Sequence, residues 1–198
     1  MKTVVFTQRV EVIESYGERR DCADQRIADF LLRCGYIPVP LPNNVQAAQK
    51  ILETIQPCGI ALTGGNSLVK YGGNAPERDE TDRMLIETAC EKKLALYGFC
   101  RGMQSVLDFF GEDLVNVQGH VAVHHKVDGA INREVNSYHN QACLSIKTVD
   151  LEILGKSEDG VIEAVRHRKL PIVATMWHPE RETPFTLADI QFVQNLFI

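Results

Sequence analysis

Gly98-Phe99-Cys100-Arg101-Gly102 is a five-residue segment in which a predicted strand turns directly into a predicted helix. The apolar run 94–97 precedes it, and apolar residues with helical spacing follow it, namely Met103, Val106, Leu107 and Phe110. A strand that ends in Gly-x-nucleophile-x-Gly before a helix is a nucleophile elbow. The unpaired N–H groups and the dipole of that helix favour a thiolate at Cys100. The alternative is a buried structural cysteine between two turn glycines.

A second segment, near the C-terminus, offers the groups that a reactive thiolate needs. Thiolate acyl chemistry requires a histidine that carries protons and a third group that orients the histidine. The apolar run 171–177 is typical of a buried strand, and His178-Pro179-Glu180 follows it. Because Pro179 ends the strand, we expect His178 at the edge of the sheet where strand carboxyl ends meet. We therefore predict that Cys100, His178 and Glu180 form a catalytic set.

Strand and helix patterns alternate along the chain. Strands are predicted at 3–7, 37–41, 59–63, 94–97 and 171–177, and helices at 23–34, 45–55, 79–93, 101–110 and 184–197. Thr183-Pro184 is predicted to begin the last helix, whose buried face would contain Leu187, Ile190, Val193 and Phe197. From 115 to 165 the pattern is β-rich and less regular. Such βα repeats predict one α/β domain over 1–198, with an open, mostly parallel sheet, helices on both faces and a smaller antiparallel β segment.

Composition and charge exclude several classes of function. A chain of 198 residues with 44% hydrophobic content can bury a sizeable core. The net charge of −5 argues against a nucleic-acid-binding surface. No apolar run reaches the length of a membrane span and the N-terminus lacks a signal-peptide pattern, so we expect no membrane partner and a cytoplasmic location. The six cysteines have no CxxC spacing, which predicts a reducing compartment and one reactive thiol. They are Cys22, Cys34, Cys58, Cys90, Cys100 and Cys143.

No metal site and no cofactor are expected from the sequence. His124 and His125 are the only adjacent histidines. Neighbouring side chains in a strand or loop point apart, so two such residues rarely bind one ion. We predict a solvated loop at these two residues.

Four motifs together resemble the class I glutamine amidotransferase family, including its stand-alone γ-glutamyl hydrolase branch. They are Thr63-Gly64-Gly65-Asn66, the elbow 98–104, Asn136-Ser137-Tyr138-His139-Asn140-Gln141 and Trp177-His178-Pro179-Glu180. The resemblance implies that Cys100 attacks a γ-glutamyl carbonyl to form a thioester. It implies that His178 moves the protons and that Glu180 orients His178. It also implies an oxyanion hole formed by the backbone N–H groups of Gly65 and Arg101.

The resemblance further implies which residues hold the glutamyl group. Family members bind its α-amino and α-carboxylate groups with the residue at Gln104 and the backbone of Ser137-Tyr138-His139, beside Gly64. Gln104 could instead be an outward-facing polar residue of its helix. His139 is interpreted as shaping the pocket, because His178 already has the paired carboxylate. The Arg101 side chain resembles the hydrolase branch, but the sequence offers no physical reason for an arginine there.

Two clusters of arginines and acidic residues could bind the leaving group. Glu18-Arg19-Arg20-Asp21 follows the first strand, and Pro76-Glu77-Arg78-Asp79-Glu80 precedes the helix before the elbow. In one interpretation Arg19, Arg20 or Arg78 binds carboxylates or phosphates. In the other, both clusters are solvated charged faces with helix caps. Such loops are similar to those of γ-glutamyl-GABA hydrolases and γ-glutamyl-CDP-amidate hydrolases, and the length of the chain fits the second group.

Three classes of function stay open. The favoured hypothesis is a stand-alone hydrolase that acts on a small-molecule γ-glutamyl substrate, with a homodimer as one arrangement of the chain. The second is a glutaminase subunit that delivers ammonia from glutamine to a separate synthase partner. The third is a non-catalytic binding or regulatory relative, which would normally lack the nucleophile or the histidine.

Overall fold

The computed structural model describes residues 1–198, and its centre is a nine-stranded mixed sheet. The strands are β1 Thr3–Phe6, β2 Arg9–Ile13, β3 Glu18–Cys22, β4 Ile37–Pro40, β5 Gly59–Leu62, β6 Ala95–Phe99, β7 Val115–Asn116, β8 Val121–Gly129, β9 Arg133–Tyr138, β10 Gln141–Ala142, β11 Leu151–Ser157, β12 Ile162–His167 and β13 Ile172–Thr175. The helices are α1 Gln25–Arg33, α2 Val45–Ile55, α3 Pro76–Lys92, α4 Arg101–Phe109 and α5 Leu187–Leu196.

The large sheet has a parallel half and an antiparallel half. Its strand order is β4-β1-β5-β6-β13-β12-β11-β8-β9. The first five strands in that order are mutually parallel, and each later strand pairs antiparallel with the one before it. Two small antiparallel ladders, β2–β3 and β7–β10, lie outside this sheet. The predicted α/β class, with a largely parallel sheet and an antiparallel addition, is confirmed.

Helices cover both faces of the parallel half because its strands alternate apolar side chains between the two faces. Val5, Ile60 and Leu96 pack with α2, α3 and α4 in the larger hydrophobic cluster. Val4 and Tyr97 pack with α1 and α5 in the second cluster. None of the helices combines the length and the apolar composition that crossing a lipid bilayer requires.

The start of the last helix differs from the prediction. Thr186, not Thr183, is the N-cap of α5, and its side chain accepts a hydrogen bond from the N–H of Asp189. Pro184 therefore lies outside the helix. The predicted buried face is also partly wrong, since the Leu187 side chain is 71% exposed. Its other members are buried as predicted, namely Ile190, Val193 and Phe197.

Three further features were placed wrongly or missed. Helix α3 begins at Pro76 instead of Asp79, because a proline is well tolerated at the first helical position. The β2–β3 hairpin was not predicted, since Val10 is its only buried residue and no apolar alternation marks it. His124 and His125 lie on β8 instead of a loop, although their side chains do point apart.

Candidate active site

Three adjacent parallel strands bring the predicted catalytic residues to one edge of the sheet. The segment 63–65 follows β5, Cys100 follows β6, and His178 lies three residues after β13. These strands are neighbours in the order β5-β6-β13. Open α/β sheets bind ligands at the carboxyl ends of their strands, so this edge is the expected place for a site.

The elbow around Cys100 has the strained geometry that the motif predicts. Cys100 has φ 51° and ψ −111°, with a positive φ that non-glycine residues rarely adopt. Its N–H donates to the carbonyl of Thr175 at 2.8 Å. A Cβ at Gly98 would lie 2.7 Å from the carbonyl oxygen of Gly102, and one at Gly102 would lie 2.1 Å from that of Leu62. The two glycines are therefore required by the close approach of strand, elbow and helix.

His178 is held at both its ring and its backbone. Its Nδ1 lies 2.7 Å from the Glu180 Oε1, and both side chains are buried. The Asn136 Oδ1 accepts a hydrogen bond from the backbone N–H of His178 at 2.9 Å, and the Asn136 Nδ2 donates to the carbonyl of His178 at 2.8 Å. Sequence reasoning gave Asn136 no role, although this residue opens one of the four motifs. The structure therefore adds a residue that positions the histidine.

The electrostatics favour an ion pair between Cys100 and His178. Burial alone would raise the pKa of the Cys100 thiol, but the charge and hydrogen bond of His178 lower it below the ordinary value of 9.0. Burial alone would lower the pKa of His178, but Cys100 and Glu180 raise it to about 10. Both shifts act in the direction of a thiolate that faces an imidazolium. Burial raises the pKa of the other five cysteines, namely Cys22, Cys34, Cys58, Cys90 and Cys143.

Arg78 holds the turn after β5 instead of facing solvent. Its guanidinium donates to the carbonyl oxygens of Thr63 at 2.7 Å, Gly64 at 2.9 Å and Gly65 at 2.9 Å. The side chain is fully buried, so the expectation that Arg78 binds a leaving group is wrong. Gly65, which has φ +90°, is thereby fixed with its carbonyl directed toward the arginine.

The Arg101 side chain anchors the first turn of α4 to α3. It is 1% exposed and forms ion pairs with Asp79 and Asp82. Ser105 joins the network by donating to the Asp82 carboxylate at 2.8 Å. This network supplies the physical reason for an arginine directly after Cys100, since it fixes the residue whose backbone N–H is a predicted oxyanion donor.

A cavity of about 200 Å³ opens beside Cys100 and His178. The predicted substrate residues Gln104, Tyr138 and His139 line it, as does Gly65. Gln104 is not outward-facing: it is 5% exposed, and its amide nitrogen donates to the Gln141 carbonyl at 2.9 Å. Gly64 lines a second cavity of about 90 Å³, which shares Gly65, His178 and Arg181 with the first.

Ser137, which was predicted to contribute to substrate binding, lines neither cavity. Its side chain is fully buried, and its hydroxyl donates to the carbonyl of His120 at 2.7 Å. The N–H of His139 donates to the same carbonyl at 2.9 Å. The segment 137–139 is therefore fixed by His120, a residue that sequence reasoning did not single out.

Arg19 and Arg20, on strand β3 of the hairpin, lie outside both cavities. Arg19 donates to Glu77 at 2.6 Å and to the Asn74 carbonyl at 2.8 Å, and Arg20 pairs with Glu18 at 2.7 Å. Neither residue lines the site, so the solvated-face interpretation describes them.

Two other arginines, Arg9 and Arg181, lie next to the site, where residues that bind the leaving group were expected. Arg181 lines both cavities and lies 4.2 Å from the ring centroid of Tyr138. Arg9 lines the smaller cavity. The position of Arg181 directly after Glu180 was the available sequence signal.

Comparisons with known proteins agree with this fold. The profile of the family described as "Glutamine amidotransferase class-I" matches residues 20–198. The chain is 29% identical to γ-glutamyl-CDP-amidate hydrolase of Campylobacter jejuni, over 97% of this chain and 96% of that protein. It is 26% identical to γ-glutamyl-γ-aminobutyrate hydrolase of Escherichia coli O157:H7, over 89% of this chain and 85% of that protein.

A solved structure shows the shared fold. The crystal structure of a glutamine amidotransferase from Thermotoga maritima matches with a TM-score of 0.69. The sequences are 16% identical, and the match covers 98% of this chain and 83% of that one. At that level of identity the likeness concerns the architecture alone.

Proposed function

This chain belongs to the class I glutamine amidotransferase family, and we propose that it is a cysteine-dependent hydrolase that cleaves a γ-glutamyl amide-type bond and releases glutamate. One observation carries the proposal. Among the six cysteines, Cys100 alone has a lowered pKa, and it lies on a strained elbow opposite the buried pair of His178 and Glu180. Activated thiolates with a paired histidine are the nucleophiles of acyl-transfer enzymes.

The proposed reaction has two halves. In the first, the Cys100 thiolate attacks the carbonyl carbon of the γ-glutamyl group, and the C–N bond breaks as the His178 imidazolium gives its proton to the departing nitrogen. A γ-glutamyl thioester on Cys100 remains. In the second, neutral His178 takes a proton from water, the resulting hydroxide attacks the thioester, and glutamate leaves with the thiolate restored. Glu180 stabilises the charged imidazole in both halves.

The negative charge of each tetrahedral intermediate needs hydrogen-bond donors. We assign this task to the backbone N–H groups of Gly65 and Arg101. Arg78 holds the turn that carries the first donor, and the buried ion pairs of Arg101 hold the helix that carries the second. Removal of one oxyanion donor typically costs about 10²–10³ in rate. The two arginines therefore support catalysis as positioning residues.

The two cavities suggest how the substrate is divided. The larger one, lined by Gln104, Tyr138 and His139, would take the glutamyl group. The smaller one is lined by Arg9 and Arg181, and guanidinium groups suit a leaving group that carries phosphate or carboxylate. The γ-glutamyl-CDP-amidate and γ-glutamyl-γ-aminobutyrate named in the two relatives both have such a leaving group. The similarity over 97% of the chain supports the first.

The test is glutamate release by the purified chain without any partner. The substrates are glutamine, γ-glutamyl-γ-aminobutyrate, a poly-γ-glutamyl compound and γ-glutamyl-CDP-amidate. Cys100→Ser removes the nucleophile, and Cys58→Ser is the matched control because this partly buried thiol lies outside the site. We expect fast release from one non-glutamine substrate, lost in Cys100→Ser and kept in Cys58→Ser. Release from glutamine alone would overturn the proposal in favour of a glutaminase subunit with a synthase partner.

A further inference from the structure

Three histidines and a glutamate form a buried group, here called the histidine–glutamate cluster, that the proposed reaction does not use. His120 directly precedes β8, His125 lies on β8, His139 directly follows β9, and Glu163 lies on β12. All but His125 are buried, and Glu163 is fully so. His139 also lines the larger cavity, so the cluster borders the wall of the active site.

The distances from the Glu163 carboxylate to the three imidazoles are close to the ligand–ligand separations of a metal coordination shell. The Glu163 Oε1 lies 3.5 Å from the His120 Nδ1, 3.4 Å from the His125 Nε2 and 3.4 Å from the His139 Nε2. In a tetrahedral zinc site with bonds of about 2.0–2.1 Å, the ligand atoms are separated by about 3.3–3.4 Å. Good N–H···O hydrogen bonds are shorter, with a mode near 2.9–3.0 Å. The spacing therefore fits an ion between the groups better than bonds among them.

Several buried polar atoms of the cluster also lack hydrogen-bond partners. Neither carboxylate oxygen of Glu163 has a hydrogen-bond partner, although the side chain is fully buried. The ring nitrogens that face it, on His120, His125 and His139, have none either. Native proteins rarely leave a buried carboxylate unpartnered, and a bound ion is one of the few explanations.

A second carboxylate orients one of the imidazoles. The His120 Nε2 lies 2.9 Å from the Asp159 Oδ2, which leaves its Nδ1 directed at Glu163. The Ser157 hydroxyl donates to the other oxygen of Asp159 at 2.6 Å. Metal-binding histidines usually donate their second ring nitrogen to a carboxylate in this manner, which fixes the tautomer and the ring orientation.

We propose that His120, His125, His139 and Glu163 bind a divalent transition-metal ion, with Zn²⁺ as the best match. Three neutral imidazoles and one carboxylate make a four-ligand set that suits zinc. The coordinating atoms of His120, His125 and Glu163 all lie within 4.8 Å of one another, and His139 lies outside this group and approaches it through its Nε2, 3.4 Å from the Glu163 Oε1. Four protein ligands leave no open position, so the ion has a structural task. This proposal reverses the expectation of no metal site and does not depend on the reaction at Cys100.

The ion connects the antiparallel half of the sheet to the substrate cavity. His120 already receives hydrogen bonds from the Ser137 hydroxyl and from the His139 N–H. An ion that joins His120 and His139 to Glu163 therefore fixes the segment 137–139 against β12. Its removal should loosen the wall of the glutamyl cavity while the Cys100–His178 pair stays in place.

The experiment measures metal content and coordination directly. The full chain, expressed without a histidine tag in zinc-supplemented medium, is analysed by atomic emission after gel filtration, and we expect about one Zn²⁺ per chain, the number of sites in the cluster. Replacement by Co²⁺ should give the intense visible absorption of a four-coordinate site. Less than a tenth of an equivalent of Zn²⁺, together with no stoichiometric binding of added Zn²⁺ to the apo chain, would overturn the proposal and leave a water-filled polar cluster.

Matched variants locate the ion. Glu163→Gln should abolish stoichiometric zinc binding, whereas His124→Ala, at the outward-facing neighbour of His125, should leave it unchanged. A second pair of variants should not disturb the packing of the hydrophobic core, because Asp159 and Glu158 are both exposed. Asp159→Asn should weaken zinc affinity about 10- to 100-fold, as loss of an outer-shell partner does, and Glu158→Gln should not. Equal zinc affinity in Asp159→Asn and Glu158→Gln would contradict the proposal even if Glu163→Gln fails to fold.

Discussion

The substitution Gly64→Ala adds one methyl group next to the imidazole of His178, the predicted catalytic histidine. A Cβ at Gly64 would lie 2.6 Å from the His178 Cε1, whereas ordinary contact begins at 3.4 Å, so the ring must move by about 0.8 Å. The ring cannot move freely, because the Glu180 Oε1 lies 2.7 Å from its Nδ1 and Asn136 clamps its backbone. A misplacement of about 1 Å can cost about 100-fold in rate. We therefore expect kcat/KM to fall about 100-fold, or about 2.7 kcal/mol in transition-state stabilisation.

The assay is steady-state glutamate release from the preferred substrate, with circular dichroism to verify folding. Gly111→Ala is the control, since its added Cβ meets nothing within 4 Å. That position has φ +82°, so the control should lose some stability and keep its rate. A folded Gly64→Ala variant with a rate within about threefold of wild type, far from the 100-fold loss that misplacement predicts, would refute the argument that His178 has no room to move.

Three other predictions concern the thiolate, the oxyanion turn and the leaving-group side. The rate at which iodoacetamide labels Cys100, measured by peptide mass spectrometry, should stay high as the pH falls below 9.0. In His178→Ala the pH midpoint of labelling should shift upward, because burial then acts on the thiol without the opposing charge. An unshifted midpoint would mean that His178 does not lower the pKa of Cys100. Arg78→Met leaves buried carbonyls unpaired and should lower the free energy of unfolding in urea by about 3 kcal/mol or more, and a wild-type midpoint would contradict this. Arg181→Ala should raise KM for a phosphate- or carboxylate-bearing leaving group more than for glutamine, whereas Arg19→Ala should change neither. The reverse order would assign the leaving group to Arg19.

The parallel half of the fold could be predicted because its signals are local. Buried strands appear as short apolar runs, and helices as apolar residues with a period near 3.6. The elbow adds two glycines at fixed spacing around Cys100, and their need for close backbone approach is visible in the sequence. The edge at which Cys100 and His178 meet then follows from the common direction of parallel strands.

The role of individual charged residues could not be predicted, because it depends on contacts between distant segments. Arg78 and Arg19 look alike in sequence, yet Arg78 is fully buried against carbonyls of the turn after β5, and Arg19 pairs with Glu77 on the surface. Arg101 similarly owes its burial to Asp79 and Asp82 on the preceding helix. Local sequence patterns carry no information about such pairings between residues that are distant in the chain.

The histidine–glutamate cluster escaped prediction for a related reason. Its members come from β8, β12 and the residues flanking β8 and β9, and the register of these antiparallel strands determines which side chains meet. A shift of one residue would turn every side chain of a strand to the other face. Irregular patterning over 115–165 therefore hid both the strand boundaries and the cluster.

The most direct test of the proposed chemistry is a search for the thioester itself. The chain is mixed with its preferred γ-glutamyl substrate, quenched in acid during turnover, and digested for peptide mass spectrometry. We predict that the peptide containing Cys100 gains the mass of one γ-glutamyl group, and that the adduct accumulates further in a variant impaired in the water step. Full turnover without any adduct on Cys100, and undiminished glutamate release by Cys100→Ser, would contradict the mechanism.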